Sequence, residues 1–190
     1  MAHHHMFSEV YFNYRLKNHA EVKRRLLEQY NVSDSENEAK WNCNSTRIEL
    51  TRDDILPSVT PALKEFGDEL RKSAKIFMDS CWMNFYRMGA FQELHNHVVG
   101  GCQLALVYFL NYNKKTDGKF YFYNTNTEII STEIATLLSG PVGSFGSVLY
   151  PKVDEGDVLI FPSYMHHGVS PHNGDDLRVT VSCNLRFQIN

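Results

Sequence analysis

Gly156-Asp157-Val158-Leu159-Ile160-Phe161-Pro162-Ser163-Tyr164-Met165-His166-His167-Gly168-Val169, with Arg178-Val179-Thr180-Val181-Ser182-Cys183-Asn184 beyond it, decides how this chain is read. The first segment is a Gly-Asp turn feeding an apolar strand that stops at Pro162 and resumes after a histidine pair, so a histidine hangs at a strand edge. The second alternates strictly: Arg178, Thr180, Ser182 and Asn184 share one face of a strand, and Val179, Val181 and Cys183 share the other. An unpaired guanidinium is too costly to bury in a dry core and stays charged, so the polar row is expected to line a polar cavity.

Upstream lies His95-Asn96-His97. Two histidines at i and i+2 on extended chain point to one side, and both imidazoles can reach a single point where a metal could sit. His166 and His167 point opposite ways on extended chain, so only one of them can join such a centre. His172, between Pro171 and Asn173-Gly174, reads as part of an exposed turn. Arg178 has a plainer reading as an ion-pair partner of Asp175 or Asp176, but those acids belong to the preceding turn whereas Arg178 opens a strand.

Candidate strands run over 82–87, 94–98, 103–111, 119–123, 146–150, 157–161, 168–169 and 178–187, with Gly, Pro, Asn and Asp at the turns. That many short strands suggest a mostly β jelly roll. Residues 17–31 and 61–78 carry apolar side chains at helical spacing and read as amphipathic helices buttressing one outer sheet. The polar stretch Ser33 to Asn37 reads as loop, Arg47 to Leu50 as a short strand, and Thr132 to Leu138 as a short helix at the rim.

The 190 residues suffice for one core and are short for two domains. Residues 1–6 (Met-Ala-His-His-His-Met) look like an expression tag, so the natural start is expected at Met6. Residues 7–190 then form a single domain, helical over about 7–79 and jelly-roll over about 80–190. A formal charge of −3 gives no nucleic-acid footprint, and no apolar run approaches the ~20 residues of a membrane span. Cys43, Cys81, Cys102 and Cys183 lack metal-type spacing, so reduced thiols in a soluble, cytoplasmic protein are expected.

Tyr86-x-x-Gly89-x-x-Gln92-x-x-His95-x-His97, the Phe161-Pro162-Ser163 lead-in to His167, and Arg178 in the final strand together resemble the Fe(II)/2-oxoglutarate-dependent oxygenases. The likeness is to the small prolyl-4-hydroxylase-like proteins of phage and marine bacterial genomes, and it spans roughly residues 80–188. It implies a double-stranded β-helix, Fe(II) as cofactor, 2-oxoglutarate and O2 as small-molecule co-substrates, and host cytoplasm as location if the gene is phage-encoded. His95, His97 and His167 would hold the metal. His167 takes the family's position, leaving His166 at the rim near substrate. Arg178 would anchor the co-substrate carboxylate, aided by Thr180 in an Arg-x-Thr that resembles the family's Arg-x-Ser. Tyr86, Tyr108 and Ser182 are further co-substrate candidates, with Tyr108 and Phe109 competing for the inward register. Gln92 and Asn184 are candidate substrate contacts.

One departure stands out: most of the superfamily has Asp or Glu where His97 stands, so the centre lacks one negative charge. The expected activity is hydroxylation of an unspecified substrate with release of succinate and CO2. A cupin-type three-histidine dioxygenase without 2-oxoglutarate would explain His97. It would not explain Arg178, and Val98-Val99-Gly100-Gly101-Cys102-Gln103 lacks the glutamate of the first cupin motif. A non-catalytic metal-binding jelly roll is the third reading, disfavoured because structural sites close their coordination sphere.

Overall fold

The computed structural model describes residues 9–30, 45–70, 74–125 and 148–189. In chain order these hold β1 (Phe12–Arg15), α1 (His19–Gln29), β2 (Thr46–Leu50), α2 (Arg52–Glu69), β3 (Ala74–Tyr86), β4 (Gln92–His95), β5 (Leu104–Asn111), β6 (Phe120–Tyr123), β7 (Val148–Leu149), β8 (Asp157–Pro162), β9 (His167–Val169) and β10 (Arg178–Ile189). The strands form two antiparallel sheets, a six-stranded one in the order β1-β8-β5-β10-β3-β2 and a four-stranded one in the order β4-β9-β6-β7. This is the expected jelly roll. The loop at Ser33 to Asn37 and the rim helix at Thr132 to Leu138 lie outside the described residues.

The large sheet separates two cores. On the outer face Met83 and Phe85 of β3, Leu106 and Tyr108 of β5, Ile160 of β8 and Val181 of β10 pack with Val22 and Leu26 of α1 and Ile55 and Val59 of α2. On the inner face Tyr86, Val107, Phe109, Leu159 and Phe161 meet Phe120, Phe122 and Val169 of the small sheet. The helices thus buttress the large sheet, while the site lies between the sheets.

The second helix is shifted from the expected 61–78. It starts after Thr51, whose backbone N–H and hydroxyl both donate to the Asp54 carboxylate, closing the first turn. Pro61, where the expected helix begins, and Pro57 both lie inside it. From Ala74 the chain is strand: Ala74, Ile76 and Met78 turn inward while Phe77 is exposed, so apolar residues that also fit a helical period follow period two. β1 was not expected, since its four residues carry too little pattern; it covers the free edge of β8.

Two glycines place the small sheet. Gly89 has φ +80° in the turn after β3, and its N–H donates to the His172 carbonyl at 2.7 Å, turning the chain into β4. At Gly168 a Cβ would stand 2.6 Å from the Tyr121 hydroxyl and 3.0 Å from the Gln92 carbonyl, so a side chain there would push apart the strands flanking His167. His172 corrects the turn reading. It is fully buried, its Nε2 donates to the Asp176 carbonyl at 2.7 Å and its Nδ1 accepts from the Gly118 N–H, clamping two loops together. Among the described residues Cys81, Cys102 and Cys183 are free and buried, and no helix is long and apolar enough to cross a membrane.

Candidate functional site

His95 ends β4 directly opposite His167 at the start of β9. His97 lies past the strand end, where its backbone N–H donates to the Ser163 carbonyl at 2.8 Å. Ring centroids are 4.3 Å apart for His95 and His167, 5.0 Å for His97 and His167, and 5.2 Å for His95 and His97. One nitrogen from each of the three lies within 4.8 Å of the others, a separation one ion can bridge.

The Nδ1 atoms settle which nitrogens converge. That of His95 sits 2.8 Å from the Glu93 carbonyl, that of His167 2.9 Å from the Met165 carbonyl, and that of His97 2.6 Å from Asn184 Oδ1. A carbonyl oxygen only accepts, so each Nδ1 carries the proton and each Nε2 presents a lone pair to the others. His166 turns away and accepts at Nε2 from Asn96 Nδ2.

Burial sets the protonation of this trio. It pushes His97 down to about 4, His95 below its ordinary 6.5 and His167 well below it, with the neighbouring imidazoles adding to the fall at His97 and His167. The unfolded chain protonates these groups near 6.5. Between pH 6.5 and about 4 it therefore binds more protons than the folded chain, so stability rises with pH across that window and is lost as pH falls through it. The lowered carboxylates Asp54 and Glu155 start from 3.8 and 4.5, so the loss above pH 5 belongs to the histidines. In urea titrations of metal-free protein we expect the midpoint to fall between pH 6.5 and 5; a flat midpoint would show imidazoles that titrate normally.

The same cavity is lined by Trp82, Tyr86, Gln92, Val107, Phe120, Val169, Arg178, Thr180 and Ser182. Arg178 is fully buried, and among the described residues none of its three guanidinium nitrogens has a hydrogen-bond partner; it forms no ion pair with Asp175 or Asp176. Its charge lies over the ring of Tyr86 at 4.4 Å and near Tyr112 at 5.6 Å. Cation–π contact offsets about 2 kcal/mol of desolvation, while an unpaired buried ion costs several, so the pocket is suited to an anion.

The structure brings together all but one of the residues singled out from sequence. Thr180 and Ser182 follow Arg178 along the inner face of β10, and Ser182 Oγ accepts from Asn84 Nδ2 at 3.1 Å. The Tyr86 hydroxyl donates to Gln92 Oε1 at 2.7 Å. Asn184 engages His97. Tyr108 is the exception: the register of β5 turns it to the helix side, where its hydroxyl meets His19 Nδ1 at 2.6 Å, and Phe109 faces inward. Trp82 was missed. It stacks on His97 at 5.9 Å with the Arg47 guanidinium 4.1 Å from its ring centroid, and counting back by two from Tyr86 on β3 would have found it.

The sequence profile of the family described as "Putative 2OG-Fe(II) oxygenase" matches residues 80–184, and the chain belongs to that family. It is accordingly a 2-oxoglutarate-dependent oxygenase, an oxidoreductase with Fe(II) as cofactor and 2-oxoglutarate as co-substrate. No curated protein matches it in sequence. Solved structures match in fold. A prolyl-4-hydroxylase of Pseudomonas putida superposes with a TM-score of 0.64 at 15% identity, covering 94% of this chain and 93% of that one. HygX of Streptomyces hygroscopicus, with nickel, 2-oxoglutarate and hygromycin B bound, gives 0.64 at 12%, covering 93% and 82%. A Trichoplax adhaerens prolyl hydroxylase in complex with a hypoxia-inducible-factor peptide fragment gives 0.65 at 13%, covering 94% and 84%.

Proposed function

We propose that residues 7–190 act as one dioxygenase domain that hydroxylates a C–H bond of its substrate and releases succinate and CO2. The observation that carries this reading is the pairing, in one cavity, of three convergent imidazoles with a buried guanidinium that has no protein acceptor among the described residues. Three neutral nitrogens suit a divalent first-row metal, and Arg178 suits a carboxylate held several ångströms from it. The relation in fold to HygX, which holds a metal and 2-oxoglutarate, supports the same reading.

His95, His97 and His167 would hold Fe(II). Iron bound there supplies the activation of O2 coupled to decarboxylation of 2-oxoglutarate. The guanidinium of Arg178 donates to the far carboxylate of 2-oxoglutarate, and the Thr180 hydroxyl, on the same strand face, adds a hydrogen bond. Tyr86 backs the guanidinium with its ring while Gln92 holds its hydroxyl, so it orients Arg178. Val107, Phe120 and Val169 exclude water and strengthen these polar contacts. A dioxygenase that binds substrate directly to iron would leave Arg178 without a counter-charge.

The test is succinate formation from 2-oxoglutarate with Fe(II) and ascorbate, screened over peptides and small metabolites under air and under nitrogen. We expect oxygen-dependent succinate that disappears in His167→Ala. Absence of succinate from metal-loaded wild type under air, or its persistence in His167→Ala, would overturn the reading.

A further inference from the structure

The three imidazoles are not held alike. His95 and His167 donate from Nδ1 to backbone carbonyls two residues upstream, those of Glu93 and Met165, which no substitution removes. His97 has no such carbonyl. It lies past the end of β4, and its Nδ1 donates instead to the side-chain Oδ1 of Asn184, from the distant strand β10, at 2.6 Å. That amide is itself held: its Nδ2 donates to Ser80 Oγ at 3.1 Å, and the Cys102 thiol, a poor acceptor, faces the same Oδ1 at 3.5 Å.

The orientation of the amide decides what His97 can do. With Oδ1 toward the ring, the proton sits on Nδ1 and Nε2 offers a lone pair to the site. With Nδ2 toward the ring, Nδ1 would have to accept, Nε2 would carry the proton, and His97 could not ligate. The Cys102 thiol favours the first arrangement, because it can donate to Oδ1 and would be a poor acceptor for Nδ2, while the Ser80 hydroxyl serves either. Losing a partner that fixes the tautomer and orientation of a ligating histidine typically costs about 10- to 100-fold in metal affinity.

We propose that Asn184 is a positioning residue of the metal centre, holding His97 in the tautomer and ring orientation that complete the three-histidine set. The proposal rests on the metal reading above. It replaces a substrate contact by Asn184 with a role directed at the metal, and it assigns to a side chain the task that the backbone performs for the other two histidines.

Co(II) is the probe, its affinity followed by calorimetry and its geometry by visible absorption. We expect Asn184→Leu, close in shape but without an acceptor, to bind Co(II) about 10- to 100-fold more weakly with an altered spectrum. Asn184→Asp keeps an acceptor oxygen and is expected to bind no more weakly than wild type. In a His97→Asp background there is no Nδ1 to hold, so adding Asn184→Leu should change affinity by less than about threefold. A loss of equal size in both backgrounds, or wild-type affinity in Asn184→Leu, would overturn the proposal. His95→Ala separates the two levels: if it binds Co(II) like wild type, the metal reading itself falls, whereas its loss beside an unaffected Asn184→Leu removes only the role of Asn184.

Discussion

Arg178→Met is expected to melt at a higher temperature than wild type without co-substrate, and to lose 2-oxoglutarate. Both follow from one observation, a fully buried guanidinium with no protein acceptor among the described residues. A buried ion of this kind costs several kcal/mol, and the rings of Tyr86 and Tyr112 offset only part of that. Methionine fills similar space without the charge, so the fold gains. The ligand's carboxylate loses the one buried cationic partner that the described residues place in the cavity lining, which should weaken binding by about 2–5 kcal/mol, or roughly 30- to 4,000-fold. Added 2-oxoglutarate should raise the melting temperature of metal-loaded wild type and leave the variant unchanged. Co(II) affinity should be the same in both, since the Arg178 guanidinium makes no hydrogen bond to any of the three histidines. Unchanged 2-oxoglutarate affinity by calorimetry would remove the reason for assigning Arg178 to the co-substrate.

Which parts of this arrangement were legible in the sequence follows from where alternation survives. β10 alternates polar and apolar because its inner face lines a cavity and its outer face lies under helices, so the row from Arg178 to Asn184 could be oriented at sight. β5 lies under helices on one face and against the small sheet on the other. Every residue from Leu104 to Leu110 is buried and apolar, and nothing in the sequence could choose between Tyr108 and Phe109. The partner of Tyr108, His19, comes from α1, a contact that only tertiary packing creates.

The boundary between α2 and β3 failed for the converse reason. Residues from Leu63 to Phe77 satisfy a helical period, and the deciding signals lay elsewhere: Thr51 with Asp54 at the start of the helix, and the alternation of Ala74, Ile76 and Met78 after it. His172 was misjudged because Pro171 and Asn173-Gly174 mark a turn without telling whether that turn is exposed. The three histidines needed less. His95 and His97 carry a spacing, and His167 sits where an apolar strand resumes, so convergence required only that β4 and β9 be neighbours. The sequence did not reveal what holds the rings, because Asn184 and the carbonyls of Glu93 and Met165 act through geometry alone.

Replacing His97 tests the departure that sets this site apart from a His-x-Asp centre. His97→Ala removes one of three donors and should lower Co(II) affinity by more than about 100-fold, beyond the cost of disturbing a partner of the ring. His97→Asp is expected to retain metal, because a carboxylate supplies both a donor and the negative charge that three imidazoles lack. It should nonetheless turn over 2-oxoglutarate more slowly than wild type. Aspartate is shorter than histidine, so its oxygen lies nearer its own backbone and draws the ion away from the position that His95 and His167 define, and a small misplacement is costly to catalysis. The stacking of the native ring on Trp82 would be lost as well. Succinate formation at saturating Fe(II) and 2-oxoglutarate should thus be reduced but measurable in His97→Asp and absent in His97→Ala. Full metal affinity and turnover in His97→Ala would show that His95 and His167 suffice and that His97 is not a ligand.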